Sequence, residues 1–448
     1  MAGVTTADGT AAPPSWVSAT LNGAGEWKLR SLAPYLFGLM MLFDSWDSLA
    51  IAFTLPSLFG LWHMSPAQGG LLVSAGYGGQ FFGAILGGML AERFGRLPVV
   101  RALVTVMGLL ALACGFAQSY EQLIVIRMVQ GLTIGGALPA TISYINEIAP
   151  AATRGKFFST FQFLMLAGFA FASMSSAYVV PHFGWQAMFM LGGLPLLLVP
   201  FSFAMPESPR WLARRGRTEE ARESLEKLGG RPVSESFGAE TEPAKQAPIG
   251  MLFAPKYRRT TIVVALLWFL TSLVSFGLVT WVPSIYVSAF HVPLALSLQY
   301  SAYASLAIFF IPLVLRQILD VVGRRPPPIV GSAGSFICLL TLAFSTHAPV
   351  PMIVTLVVIG SIAGSIGSIV LWPFTAESYD TEVRATALGA ASSLARAASM
   401  LTPLAVGGIL GATGSIAPVF ALFGTSSTLA FLLWIFATKE TKGKEIDG

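Results

Sequence analysis

Residues 88–96 read GMLAERFGR, and residues 319–325 read LDVVGRR. In each, an acid (Glu92, Asp320) stands three residues before a glycine (Gly95, Gly323) that arginine follows (Arg96; Arg324 and Arg325). The two glycines lie 228 residues apart. A second pair of segments keeps almost the same step. EIAPAATRG (147–155) and ESYDTEVRA (377–385) place Glu147 and Glu377, and likewise Arg154 and Arg384, 230 residues apart. Two loop motifs repeated at nearly one interval imply one structural unit used twice.

The segments between these motifs say what the unit is. The chain of 448 residues is 54% hydrophobic, only 11% charged, and has a mean hydropathy of +0.70; a soluble chain carries about a quarter charged residues. Its apolar residues fall in blocks, and a bilayer core takes about 20 of them per helix. Twelve blocks are expected to be spans: 32–60, 67–90, 98–117, 121–146, 157–180, 184–205, 259–290, 294–320, 326–346, 349–377, 383–412 and 414–437. The predicted fold is therefore an all-α membrane protein of twelve transmembrane helices in two six-helix repeats. The expected organisation is a disordered N-terminal tail (1–31), a first bundle (32–205), a polar linker (206–258), a second bundle (259–437) and a short tail (438–448). Within the linker, Thr218–Leu228 has the pattern of a short amphipathic helix, and the Ser/Glu/Pro/Gly-rich stretch after it does not.

Charge gives the orientation. Of 27 Lys and Arg, Arg127, Arg316 and Arg396 lie inside spans; the other 24 belong to the tails or to even-numbered connections, counting Arg101, Arg259 and Arg384 at span edges. The odd-numbered connections carry none and hold all four histidines. By the positive-inside rule, both termini are expected in the cytoplasm, in a bacterial-type inner membrane. The net charge of +5 is thus topological and argues against a nucleic-acid partner. Residues 1–30 lack the basic-then-apolar pattern of a signal peptide. Cys114 and Cys338 lie in separate blocks, so no disulfide or thiol metal site is expected. No HExxH or GxSxG motif occurs, and the histidines are scattered; neither an enzyme nor a cofactor or metal site is expected.

Two parallel six-helix repeats are a transporter architecture, and the chain resembles the major facilitator superfamily over essentially its full length. The superfamily's motif between spans two and three is matched by Gly88, Arg93, Gly95 and Arg96, with Glu92 as a conservative acid and Leu97 in place of the last base. RMVQG (127–131) resembles its fourth-span motif and PESPRWL (206–212) its signature after span six. The resemblance implies a major facilitator fold. It also implies that Gly88, Glu92, Arg93, Gly95, Arg96, Glu147, Arg154, Asp320, Arg324, Arg325, Glu377 and Arg384 form a gating set of inter-helix ion pairs.

Within the first span, LFDSWDSLAIAF (42–53) holds two acids, Asp44 and Asp47, near mid-depth and on one helical face. A charge there costs about 2.5–3.5 kcal/mol or more, and such groups face a cavity, a partner or an ion path. Two roles are open: a proton-carrying pair, or a structural bond to another helix or a buried arginine. The stretch DSWDSLAIAFTLPSL (44–58) resembles the first-span signature of the aromatic acid:proton symporters, matching at Asp44, Asp47, Phe53, Pro56 and Leu58, with Ser45 and Ala52 in place of glycines. Arg396, about mid-depth in span eleven and followed by Pro403, Gly407 and Gly408, offers a planar fork matched to a carboxylate. Trp46, Arg127, Tyr144, Trp268, Phe276 and Trp372 complete the candidate substrate-binding set, and Arg316 with Asp320 reads as an intrahelical pair. The glycines of span two read as close helix packing.

The expected function is proton-coupled import of a small organic anion, an aromatic carboxylate, by a monomeric transporter whose partners are the anion, protons and the bilayer. The alternatives are a sugar, polyol or other metabolite symporter, or a proton-driven exporter.

Overall fold

The structure is a computed structural model and describes residues 16–23, 28–228, 247–345 and 347–442. All its α and 3-10 segments belong to one class: among the described residues there is no strand. In hydrocarbon a helix satisfies its own backbone groups, which is why apolar blocks of this length fold so. In chain order the α-helices are α1 (Trp16–Gly23), α2 (Lys28–Trp62), α3 (Pro66–Phe94), α4 (Arg96–Gly115), α5 (Tyr120–Ile148), α6 (Arg154–Leu191), α7 (Val199–Ser202), α8 (Pro209–Arg214), α9 (Thr218–Lys227), α10 (Arg258–Ser288), α11 (Leu294–Val322), α12 (Pro326–Phe344), α13 (Val350–Glu377), α14 (Thr381–Thr413) and α15 (Ala417–Phe436).

Ten of these are long and apolar enough to cross a membrane by length and composition. The glycine-rich α3, 29 residues long, adds another crossing. The last is the sixth span, which departs from the continuous helix expected over 184–205. α6 is broken at Gly184, whose φ of +83° is left-handed, so the fifth span ends there and the sixth begins. The sixth then stops at Gly192, continues as a 3-10 turn over Leu194–Leu197 and ends in α7. The sequence LGGLPLLLVP (191–200) gives the reason: two glycines and two prolines interrupt the ladder of backbone hydrogen bonds.

The tail also departs from expectation. Residues 16–23, read as part of a disordered segment, form α1, with Val17 and Leu21 fully buried in one core cluster with Leu225 and Leu228. The Asn22 carboxamide oxygen accepts from the Ala151 amide at 2.8 Å. Two apolar side chains on one face of a helical turn are enough to dock it. Residues 1–15, 24–27, 229–246 and 443–448, which complete the expected tails and linker, lie outside the described residues.

The duplication is visible in the backbone. Gly95 and Gly323 carry φ of +105° and +99°, and His63 and His291, 228 residues apart, carry +49° and +52°. In the first half α2 packs on α6, and α3 and α4 pack on α5; in the second, α12 packs on α13 and α15, and α10 on α14. The α3–α5 seam is backbone on backbone: a Cβ at Gly83 would clash with the Leu132 carbonyl, and one at Gly135 with the Gln80 carbonyl.

The halves meet through α3 with α14, α6 with α11, and α2 with α10. The face bearing α1, α8 and α9 is called the terminal face here; the other is the far face. The ring contact of Phe59 with Trp281, at 6.3 Å, and that of Tyr77 with Phe276, at 5.8 Å, join the halves on the far side of mid-depth. There too the Ser74 hydroxyl donates to the Met400 carbonyl at 2.6 Å. Phe163 and Phe309, near mid-depth, are 5.6 Å apart. Among the described residues, by contrast, the terminal-face cores of the two halves share no residue across the divide. This conformer is thus closed at the far face.

Gly70 packs directly on α14, where a Cβ would clash with the Pro403 carbonyl and stand 3.2 Å from the Gly407 Cα. Gly70→Val is expected to hold the far face apart. A cysteine at Ser74 should then react with a membrane-impermeant maleimide from that face at least tenfold faster than in a Gly70 background; equal rates would contradict the far-face closure.

Candidate functional site

The 35 residues of α2 span about 52 Å at 1.5 Å per residue, and Asp44 and Asp47 sit near the middle. They share a face of the helix but not a partner. Asp47, fully buried, accepts from the Arg127 guanidinium of α5 at 3.0 Å. The same Nη1 donates to the Gln130 carboxamide oxygen at 2.8 Å, to which the Cys114 thiol also points at 3.4 Å. The Phe189 ring lies 5.6 Å from the guanidinium carbon. This cluster lies wholly within the first half, and in it Arg127 is paired with Asp47. The other Asp47 oxygen, Oδ1, has no hydrogen-bond partner and lies beside Gly192, at the break in the sixth span.

Asp44 is also buried, yet forms no ion pair among the described residues, and its Oδ1 has no partner. It lies within electrostatic reach of Asp47 and, across the divide, of Arg396 on α14. Arg396 is half-buried and forms no ion pair among the described residues. Here the two halves bring one carboxylate and one guanidinium within electrostatic reach of each other.

The aromatic candidates separate. Trp46 is buried and its indole N–H donates to the Met188 carbonyl at 3.1 Å. Tyr144 is buried in the terminal-face core of the first half, its hydroxyl donating to the Pro206 carbonyl at 2.8 Å. Both side chains are packed in the first half, with their polar tips on backbone carbonyls. The apolar bodies of these rings fill a core, and their polar tips find backbone acceptors. Trp268 meets Trp372 edge-on at 4.9 Å and donates to Thr375 Oγ1 at 3.0 Å, while Trp372 is half exposed. Phe276 lies at the far-side seam with Tyr77.

The loop motifs fold into two matching clusters on the terminal face. Arg96 contacts Glu92 at 2.6 Å and Glu147 at 2.9 Å, and donates to the Ala91 carbonyl at 2.8 Å. Arg324 contacts Asp320 at 3.0 Å and Glu377 at 3.0 Å, and donates to the Leu319 carbonyl at 2.9 Å. Arg214 joins the first cluster at Glu147, 2.7 Å away. Asp320 is therefore paired with Arg324. Exposed Arg316 forms no ion pair among the described residues, which corrects the intrahelical pairing expected for it; Arg324 also bonds the Leu319 carbonyl and so lies back over the end of α11. Each cluster joins helices of one half only. Arg325 caps α15 through the Trp434 carbonyl at 3.2 Å. Arg93 is exposed, Arg154 and Arg384 are half-buried, and Gly88 has open space where a Cβ would stand.

The sequence reading missed Gln130, although it stands inside RMVQG, and the matched glutamates Glu207 and Glu440. Glu207 accepts from the Leu97 amide at 3.1 Å, and Glu440 from the Arg324 and Arg325 amides at 2.8 and 3.0 Å. Gly95 and Gly323 leave room for these carboxylates: a Cβ at Gly323 would lie 2.6 Å from Glu440, and one at Gly95 would clash with Glu207. The signal was present in ESPR at 207–210 and ETKG at 440–443.

Burial pushes the Glu440 carboxyl up, but backbone N–H donors, that of Arg324 foremost, outweigh it and leave the group below the usual range. Glu207 is more deeply buried, and there burial prevails and raises it. A depressed carboxyl contributes stability above its unfolded value, about 4.3, and that contribution is lost as pH falls through the folded value. Glu440→Gln is therefore expected to lower the melting temperature at pH 7 and to flatten its fall toward pH 4; an unchanged acid limb would contradict this.

Comparison with known proteins agrees with the geometry. The family model described as sugar (and other) transporter matches residues 38–448. The chain is 29% identical to the niacin transporter NiaP of Acinetobacter baylyi, covering 92% of this chain and 94% of that one. It is 30% identical to the gallate transporter of Pseudomonas putida, covering 93% of each. Its fold is similar to that of a crystallised D-xylose-proton symporter, with a TM-score of 0.73 at 21% identity, covering 94% of this chain and all of that one. The chain belongs to the sugar (and other) transporter family, within the major facilitator superfamily, and is a multi-pass membrane transporter and not an enzyme.

Proposed function

We propose that the protein imports a small aromatic carboxylate together with protons by alternating access. The observation that carries this reading is that Asp44 and Arg396 lie within electrostatic reach of each other across the two halves, each without an ion pair among the described residues, while Asp47 is held by Arg127. The niacin and gallate transporters, similar along nearly the whole chain, support an aromatic acid as cargo. The excess of Lys and Arg on the terminal face supports a cytoplasmic position for both termini in an inner membrane. In that orientation this conformer opens inward.

The cycle follows from the charges. With the halves parted at the far face, Arg396 receives the substrate carboxylate through its planar fork. A proton on Asp44 removes the negative charge that would otherwise compete for Arg396. Anion and proton together leave the centre with no uncompensated charge, and the halves can close over it. Asp47 and Arg127 form a second such switch inside the first half, where Asp47 Oδ1 is free to take a proton. One monoanion with one proton moves no net charge, so the pH gradient alone drives it, at about 1.4 kcal/mol per unit. A second proton adds the membrane potential, about 2.3 kcal/mol per charge per 100 mV.

The test is uptake of labelled benzoate-type acids and of hexoses by proteoliposomes at two external pH values, with monomeric protein. The acids are expected to accumulate, faster at the lower pH. Accumulation of a hexose instead would favour a sugar symporter and contradict the role given to Arg396.

A further inference from the structure

A cavity of about 30 Å3, counted as room for the centres of water-sized molecules, lies between α10, α11 and α13. One water needs roughly 10–15 Å3 on that measure, so the space exceeds a single solvent site, and it is open on one side. Its residues place it between mid-depth and the far face. The walls are mainly valine, leucine and isoleucine side chains, with hydroxyl groups from Tyr286, Tyr300, Ser301, Ser305 and Ser361 and no charged residue.

Two of these hydroxyls are already engaged. Ser301 donates to the Ser297 carbonyl and Ser361 to the Val357 carbonyl. Tyr286 is only 1% exposed, yet its hydroxyl has no hydrogen-bond partner. A buried polar group left so costs about 1–3 kcal/mol, a penalty that a matched ligand group removes. The Tyr286 and Tyr300 rings meet edge-on at 6.2 Å and form an aromatic side to the cavity.

This chemistry is selective. A carboxylate would be buried against apolar walls with no cation. A sugar, with a hydroxyl on nearly every carbon, would leave most of them unpaired. One aromatic ring with one hydrogen-bonding substituent fits: the walls take the ring, and Tyr286, able to donate or accept, takes the substituent. The lid is informative as well. All the lining residues belong to the second half except Phe53 of α2, from the first. The cavity is therefore complete only when the halves meet at the far face.

We infer that this cavity is a subsite for an aromatic ring, and that Tyr286 reads a hydroxyl or ring nitrogen on that ring. This rests on the aromatic-acid reading above for the class of compound, and ring binding can be tested without transport. The probes are 4-fluorophenol and fluorobenzene, followed by fluorine NMR on the purified full-length protein. Native protein is expected to bind 4-fluorophenol saturably and more tightly than fluorobenzene. Tyr286→Phe should weaken 4-fluorophenol about three- to tenfold, the loss of one buried neutral hydrogen bond, and leave fluorobenzene unchanged. Ala304→Phe, which fills the cavity, should abolish both; Ala304→Val, a smaller filling, should weaken both if the larger variant does not fold. No saturable binding to native protein would overturn the inference, as would an affinity for 4-fluorophenol unmoved by Tyr286→Phe and by cavity filling. Binding that follows this pattern in a protein accumulating no aromatic acid would uphold the ring subsite and overturn the aromatic-acid reading alone.

Discussion

Asp47→Leu is expected to destabilise the protein by about 3–5 kcal/mol, because it leaves the Arg127 guanidinium buried and uncompensated. Arg127 is 2% exposed, and its Nη1 is shared between Asp47 and Gln130. With Asp47 gone, only a neutral amide oxygen answers a full charge. Arg127→Met should cost less, since a lone carboxyl can take up a proton and become neutral. The double variant Asp47→Leu/Arg127→Met should recover most of the lost stability, as replacing a buried ion pair by apolar residues often does. It should nevertheless fail to accumulate substrate. Denaturant unfolding in detergent measures the first part and proteoliposome uptake the second. A double variant that folds and still concentrates the acid would show the pair to be a structural fastener with no part in coupling.

The second large effect is expected at Arg396. A hydrogen-bonded contact to a charged group contributes about 1.5–3 kcal/mol, so Arg396→Ala should weaken binding of an aromatic carboxylate by about 10- to 100-fold. Arg396→Lys keeps the charge but loses the fork and should recover only part of that. Asp44→Asn should behave differently. It leaves Arg396 without its opposing acid, so equilibrium binding of the anion should hold or tighten, while accumulation against a gradient is lost. Binding measured beside uptake separates the two residues. A parallel loss of binding in both variants would mean that Asp44 and Arg396 act as one structural pair.

The architecture was legible in the sequence because the bilayer imposes a length on every helix and the duplicated loops fix the repeat. Twelve apolar blocks and the 228-residue step between Gly95 and Gly323 were enough. What escaped lay where local chemistry overrides pattern. The sixth span reads as one apolar block, and only the backbone of Gly192–Leu197 reveals that it is broken. α1 was hidden in a composition typical of tails, since two buried side chains leave little periodic signal.

Within the site, depth and helical face could be read for Asp44 and Asp47, but not which of them meets an arginine. That depends on how α2 packs on α5 and faces α14, which no spacing along one helix encodes. The surroundings of Trp46 and Tyr144 were not legible for a related reason. An aromatic side chain near mid-depth lines a cavity or fills a core according to its neighbours, and here Met188 and Pro206 supply the backbone acceptors. Glu440 could have been found by carrying the repeat one motif further along the chain.

The central claim is that carboxylates at mid-depth gain and lose protons in step with anion binding. Its most direct test is proton movement itself. Protein is reconstituted into liposomes containing a pH-sensitive dye, an aromatic acid is added outside with no starting pH gradient and the potential clamped at zero, and the interior is followed against protein-free liposomes. Native protein should acidify the interior as substrate enters, and Asp44→Asn/Asp47→Asn should not. Substrate entry through the native protein with no movement of protons, or acidification preserved in the doubly neutralised protein, would contradict the account.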